Sequence, residues 1–181
     1  MKIIIVSGSN DSPTINILAD SALQKTGKPF FVPDFADRFV GSTHVCAHIS
    51  RLGKNIAKRF SERYYEQIGL CFAIQADADN LPEAVRTGFD GALVVGTTVD
   101  KSTFAGAVKL AQRSLATAAE VTVDDVCPRL DSAIELVSKY FTIKIGDLIV
   151  VDCGFDNVAL SIDDKIECNI ADSCSISFRI K

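Results

Sequence analysis

The sequence predicts an α+β domain dominated by short strands. Short apolar runs recur along the chain, glycine and proline punctuate them, and only two segments carry a clear helical period. In order, the apolar runs are Ile3 to Val6, Phe30 to Val32, His44 to Ile49, Leu70 to Ile74, Leu93 to Val95, Leu148 to Val151 and Ser175 to Ile180. Pro29, Pro33, Gly41, Gly91, Gly96, Gly146 and Gly154 mark their ends, and Asp156-Asn157 and Asp163-Asp164 read as turns. The first helix is expected over Asn55 to Gln67. There Ile56, Phe60 and Tyr64 recur every fourth residue, charged residues fill the other face, and Asn55 is placed to cap. The second is expected over Asp131 to Tyr140, where Leu130, Ile134 and Val137 form a stripe and Asp131 or Ser132 could cap. Residues 105–119 stay open between a helix, favoured by alanine and leucine propensity, and an extended hairpin.

Composition excludes several classes of function. The chain has 181 residues, 48% of them hydrophobic and 23% charged, which suits one globular domain over 1–181. Its net charge of -4, with no basic block, argues against nucleic acid and anionic membrane as partners. The run Met1 to Val6 is too short for a signal segment or a membrane span, so a cytoplasmic location is expected. The six cysteines form no Cys-x-x-Cys pair and read as reduced, mostly buried thiols rather than a disulfide or zinc framework.

Three blocks carry more information than the rest. They are Arg51-Leu52-Gly53-Lys54-Asn55-Ile56, Phe89-Asp90-Gly91-Ala92-Leu93-Val94-Val95-Gly96, and Phe141-Thr142-Ile143-Lys144-Ile145-Gly146-Asp147-Leu148-Ile149-Val150-Val151-Asp152-Cys153-Gly154. Met1 to Val6, Pro29 to Phe35 and Tyr64 to Gly69 accompany them in order. Together they resemble the fumarylacetoacetate hydrolase family over nearly the whole chain. The resemblance implies a mixed β-roll with a few flanking helices, and a homodimer. It also implies a magnesium, manganese or calcium ion held by a Glu-x-Glu on one strand and an Asp on the next. Residues two apart on a strand share a face, and hard cations take oxygen ligands, so that arrangement is chemically sound. The bound ion would polarise a 1,3-dicarbonyl or 2-oxo acid.

The resemblance breaks at the chemistry. Counted from the flanking blocks, the two glutamate positions fall on Ser42 and His44 and the aspartate position on Ala73. No Asp or Glu lies between Asp37 and Glu62, so shifting the alignment by one residue restores nothing. The family's lysine falls on Thr87, and its Thr-Gly-Thr-Pro is replaced by Val151-Asp152-Cys153-Gly154. The loop that would carry a general-base histidine and its glutamate is reduced to Ser7 to Thr14 and holds neither residue. Ser42, His44, Ala73, Thr87 and Cys153 are therefore vestigial site positions, and no catalytic residue is identified.

Replacement chemistry has few candidates. His44, Cys46 and His48 alternate on one strand face and could suggest a zinc or copper site through His44 and Cys46. At ~3.3 Å per residue His44 and His48 stand about 13 Å apart, so one ion could not engage both. The competing reading is that His44 fills the old site, Cys46 is core and His48 ends the strand. Asp77 and Asp79 could be substitute ligands or a solvated acidic loop. Arg51 with Lys54 could hold a small carboxylate ligand or cover the surface beside a helix start. The reading that follows is a family member that has lost its catalysis, expects no cofactor, and acts by binding or assembly. Its alternative is a hydrolase, decarboxylase or isomerase of small oxo acids or 1,3-dicarbonyls with a rebuilt, metal-dependent site. Whether the protein is an enzyme is left open.

Overall fold

The computed structural model describes residues 1–9, 12–104, 110–113, 120–121, 123–170 and 173–181. The expected strand-dominated α+β architecture is what these residues build. Their strands are β1 (Ile3–Ser9), β2 (Ser12–Leu18), β3 (Leu23–Lys25), β4 (Phe39–Ile49), β5 (Tyr65–Ala76), β6 (Leu93–Asp100), β7 (Leu110–Arg113), β8 (Glu120–Val121), β9 (Leu148–Asp152), β10 (Val158–Leu160), β11 (Lys165–Ile170) and β12 (Ser173–Arg179). The helices are α1 (Lys58–Ser61), α2 (Glu83–Gly88) and α3 (Val123–Tyr140). An eight-stranded mixed sheet runs β2-β1-β9-β4-β5-β6-β3, with β10 also paired to β4. A second sheet of four strands runs β12-β11-β7-β8. In the larger sheet β1 with β9 and β3 with β6 are parallel, and the other pairs are antiparallel.

Alternation along the central strands separates two interiors. On β4, Phe39, Val45, Ala47 and Ile49 point into the main core with Leu70, Phe72 and Ile74 of β5 and Ile149 and Val151 of β9. Leu130, Ile134 and Val137 of α3 join that core. The opposite face carries Cys46, Cys71, Leu93, Leu148 and Val150, a smaller apolar cluster. Gly96 lets the sheets approach. A Cβ there would lie 2.7 Å from the carbonyl oxygen of Ser175 on β12, a backbone atom that cannot rotate away.

Several expectations need correction. The helix over Asn55 to Gln67 shrinks to α1, followed by a 3-10 turn at Glu62–Tyr64, and Tyr65 already opens β5. Asn55 does not cap: it has a left-handed φ of 52°. Tertiary bonds win here. Asn55 N–H donates to the Ser138 carbonyl and Ile56 N–H to Ser138 Oγ, tying this stretch to α3. Phe60 is exposed beneath the guanidinium groups of Arg59 and Arg63 rather than buried in a stripe.

The second helix starts earlier than expected. It runs through Pro128 to Val123, so Asp131 and Ser132 are interior. Ser132 Oγ donates to the Pro128 carbonyl, and Asp131 accepts from the Tyr65 hydroxyl. Burial of Val126 and Leu130 on the core face offsets the proline's missing N–H. Phe30 to Val32 is no full strand; it makes a single bridge, Phe30 with Ile180. Ser7 to Thr14 is not simply a loop, because Ser7 pairs with Thr14 inside the β1–β2 hairpin. Pro13 is tolerated there because β2 is an edge strand. Within 105–119, residues 110–113 form β7 and pair antiparallel with β8, as the extended reading expects; 105–109 and 114–119 lie outside the described residues.

One buried ion pair fixes the edge of the main sheet. Gly146, at a φ of 85°, turns the chain so that Asp147 precedes β9. The Asp147 side chain, only 2% exposed, accepts from Lys2 N–H and Lys144 N–H at 2.8 Å each and from Lys2 Nζ at 2.5 Å. Burial pushes this carboxyl's pKa up, but the Lys2 side chain and the two backbone donors outweigh it and hold the pKa below the ordinary value. A carboxyl with a folded pKa below its unfolded one stabilises the fold above about pH 4, and that stability is lost as pH falls through the folded pKa. Asp147→Asn should therefore cost about 3 kcal/mol in denaturant unfolding at pH 7. Its stability should also fall less steeply than the parent's below about pH 4; equal slopes would contradict this assignment.

Candidate functional site

The register of the main sheet brings four of the five predicted positions together. Ser42 on β4 lies directly opposite Ala73 on β5, and His44 lies opposite Cys71 on β5 and Asp152 on β9. Ser42, His44 and Ala73 share the floor of a cavity of about 450 Å³, and Thr87 of α2 reaches it from the side. The β1–β2 hairpin supplies Ser7, Thr14 and Asn16 to one wall, and the loop from β9 to β10 supplies Phe155, Asp156 and Asn157 to another. Each wall follows from simple geometry. The even-numbered residues of β4, and Cys71 and Ala73 of β5, face away from the main core.

Cys153 does not belong to this group. Alternation sends its side chain to the main core, where Sγ donates to the Thr43 carbonyl. Its neighbour Asp152 faces the cavity instead. Burial pushes the Cys153 and Cys168 thiols up to about 12, so neither is a thiolate at neutral pH. All six cysteines are free thiols.

His44 is the chemically distinctive group. Its Nε2 is 2.8 Å from Ser42 Oγ, while Nδ1 is buried without a hydrogen-bond partner among the described residues. Burial lowers the pKa of the ring below its ordinary value, against the opposing pull of the Asp152 carboxylate and the Val151 backbone. The imidazole is therefore neutral at pH 7. Cys46 is fully buried, and His48 stands near the end of β4, its pKa also lowered by burial.

The other candidates lie elsewhere. Asp77 pairs with Arg38 at 2.9 Å beside a separate hollow, and Asp79 is fully exposed. Lys54 Nζ donates to the Tyr140 carbonyl, and Arg51 lines a different surface hollow with Phe60 and Arg63. Neither cation reaches the cavity, whose lining among the described residues holds no lysine or arginine. Arg86 turns to Glu83 and Asp79. Sequence reasoning missed Asp152, Asp156, Asn16 and Glu83. Asp152 could have been found by continuing the alternation of Leu148 and Val150.

The comparisons with known proteins agree with the geometry. No family profile matches this sequence. No curated protein sequence matches it either. Solved structures do match. Fumarylpyruvate hydrolase from Pseudomonas aeruginosa, in complex with Mn2+ and pyruvate, superposes with a TM-score of 0.83 at 12% identity, covering 99% of this chain and 89% of its own. The chain has the fumarylacetoacetate hydrolase fold. A 2-hydroxyhepta-2,4-diene-1,7-dioate isomerase from Mycobacterium marinum matches this fold with a TM-score of 0.85 at 14% identity, covering 99% of this chain and 73% of the other. A protein assigned to the fumarylacetoacetate hydrolase family from Yersinia pestis CO92 matches with a TM-score of 0.83 at 16% identity, covering 99% and 92%.

The cavity residues do not fit the divalent ion that the sequence resemblance implies. A hard cation needs several converging oxygens, preferably charged. The three expected positions offer one hydroxyl, one imidazole and one methyl group. Among the described residues, no group of three His, Cys, Asp or Glu is placed to hold a metal.

Restoring the carboxylates tests the register. Ser42→Glu, His44→Glu and Ala73→Asp together would place like charges on adjacent sites beside Asp152, which is costly without a cation. The triple variant should melt several degrees below the parent in EDTA and regain part of the loss in manganese. Equal melting in both conditions would mean that these positions do not converge.

Proposed function

We propose that this chain is a divergent member of the fumarylacetoacetate hydrolase family that has given up metal-dependent catalysis and uses the retained cavity to bind a small polar molecule. One observation carries the reading. The old ligand positions still converge on an open cavity, but as Ser42, His44 and Ala73. Losing all three anionic ligands together is physically coherent, since any one kept without a cation would be a costly buried charge. The flanking walls remain polar, with Ser7, Thr14, Asn16, Gln75 and Asn157 available as neutral donors and acceptors. No resident cofactor is expected, and a homodimer, readable by sedimentation, belongs to the same proposal.

Two measurements test it. Elemental analysis of the purified protein should find well under one magnesium, calcium or manganese per chain. Hydrolysis of acylpyruvates and decarboxylation of oxaloacetate should stay below about 1 s⁻¹ with or without manganese, the low end of ordinary enzyme turnover. Metal-dependent turnover above that level would favour a rebuilt metal enzyme instead. Binding itself is read by ligand-observed NMR with a set of small alcohols, amines and carboxylates. Hits should vanish in Ala73→Phe, which fills the cavity floor.

A further inference from the structure

We infer that Ser42 is a nucleophile activated by His44, and that the cavity is a metal-free acyl-hydrolase site for small esters of neutral or positive charge. The inference rests on the proposal that the cavity binds a small molecule, and adds chemistry to it. The first observation is geometric. Ser42 Oγ and His44 Nε2 are 2.8 Å apart, within the reach that a nucleophile and its base require. Both stand on the same face of β4, which pairs with β5 at both residues and with β9 at His44, so the dyad sits on sheet backbone. Both line the same cavity.

The second observation is the state of the imidazole. His44 Nδ1 is buried without a hydrogen bond among the described residues, and Asp152 lies directly across from His44 on β9. Asp152 keeps its place by accepting the Gly154 N–H at 2.8 Å. Its charge favours a proton on the ring, and a proton on Nδ1 leaves Nε2 to accept from the Ser42 hydroxyl. Asp152 then acts on the ring through its charge alone, without the hydrogen bond to Nδ1 that an orienting carboxylate makes.

The reaction balances without a metal. Ser42 Oγ bonds to the ester carbonyl carbon while His44 Nε2 takes the hydroxyl proton. The ester C–O bond breaks, and the proton passes to the departing alkoxide, releasing an alcohol. Water then adds to the acyl carbon, giving its proton to the same nitrogen. The Ser42 C–O bond breaks, Oγ recovers the proton, and a carboxylic acid leaves. The amides of Asn16, Gln75 and Asn157 are the nearest candidates to steady the oxyanion. Charge sets the substrate class. Glu83 is paired with Arg86, but Asp152 and Asp156 stand at the cavity with no lysine or arginine among its described lining residues, so an anionic ester is disfavoured.

The test uses a neutral alkyl fluorophosphonate and p-nitrophenyl acetate on the full chain. Peptide mass spectrometry of the parent protein should find one phosphonyl adduct, on Ser42. Ester hydrolysis should vanish in Ser42→Ala and fall about 100-fold in His44→Gln, within the range general-base catalysis contributes. Asp152→Asn should lower the rate and displace its pH profile, which a merely structural carboxylate would not do. No adduct after prolonged excess, an adduct on another residue, or unchanged hydrolysis in Ser42→Ala would overturn the inference. The NMR binding set, applied to the parent and to Ser42→Ala, separates the two proposals. Binding without labelling sinks only the nucleophile, and absence of both sinks the cavity reading as well.

Discussion

The strict alternation of β4 organises the molecule. Because successive side chains leave opposite faces, one strand serves two interiors at once. Phe39, Val45, Ala47 and Ile49 commit one face to the main core. Ser42, His44 and Cys46 are thereby sent to the other, where β5 and β9 deliver Ala73, Cys71 and Asp152 in register. A slip of one residue would bury His44 in the main core and expose Val45, so the hydrophobic half of the strand holds the cavity half in place. The cavity needs no stabilising contribution of its own.

That division explains how the chemistry could change while the fold persisted. The large apolar side chains lie mainly on the core face, and the Lys2–Asp147 pair locks β1 to the start of β9 at the opposite end of β9 from Asp152. Nothing in that framework uses the side chains of Ser42, Ala73 or Thr87. On the proposed reading, the positions that would distinguish a metal hydrolase from this protein are therefore free to vary as a set. They are not free one at a time, because carboxylates and cation stabilise one another. Sequence identity of 12–16% to the solved structures, against a TM-score of 0.83–0.85, is what such a separation produces.

Legibility in the sequence followed the same line. Continuous apolar runs, such as Leu70 to Ile74 and Leu148 to Val151, were readable because these strands are buried on both faces. Adjacency of Ser42, His44 and Ala73 was readable because flanking glycine-containing blocks mark the register. Asp152 was hidden inside a block read as a missing motif, although its parity with Leu148 and Val150 sends it to the cavity. The segment from Asn55 misled because Ile56, Phe60 and Tyr64 mimic a helical spacing; bonds to Ser138 decide the backbone there, and no local pattern announces them. The stretch from Val123 to Leu130 was hidden by Pro128, whose local penalty is offset by burial on the core face.

Electrostatics decide which ligands this cavity can take. A site that receives an anionic ligand needs a cation at hand, whether a metal ion or a basic side chain. Here the cations stay on the outside: Arg51 and Lys54 on another face, Arg38 with Asp77, and Arg86 with Glu83. At the cavity stand the exposed carboxylates of Asp152, Asp156 and the Arg86-paired Glu83, with neutral hydroxyls, amides and a neutral imidazole. A cavity with carboxylates and no lysine or arginine among its described lining residues presents a field of opposite sign to one that holds a metal ion. On the proposed reading, the class of ligand follows from the residues at positions 42, 44 and 73 and requires no change in the fold.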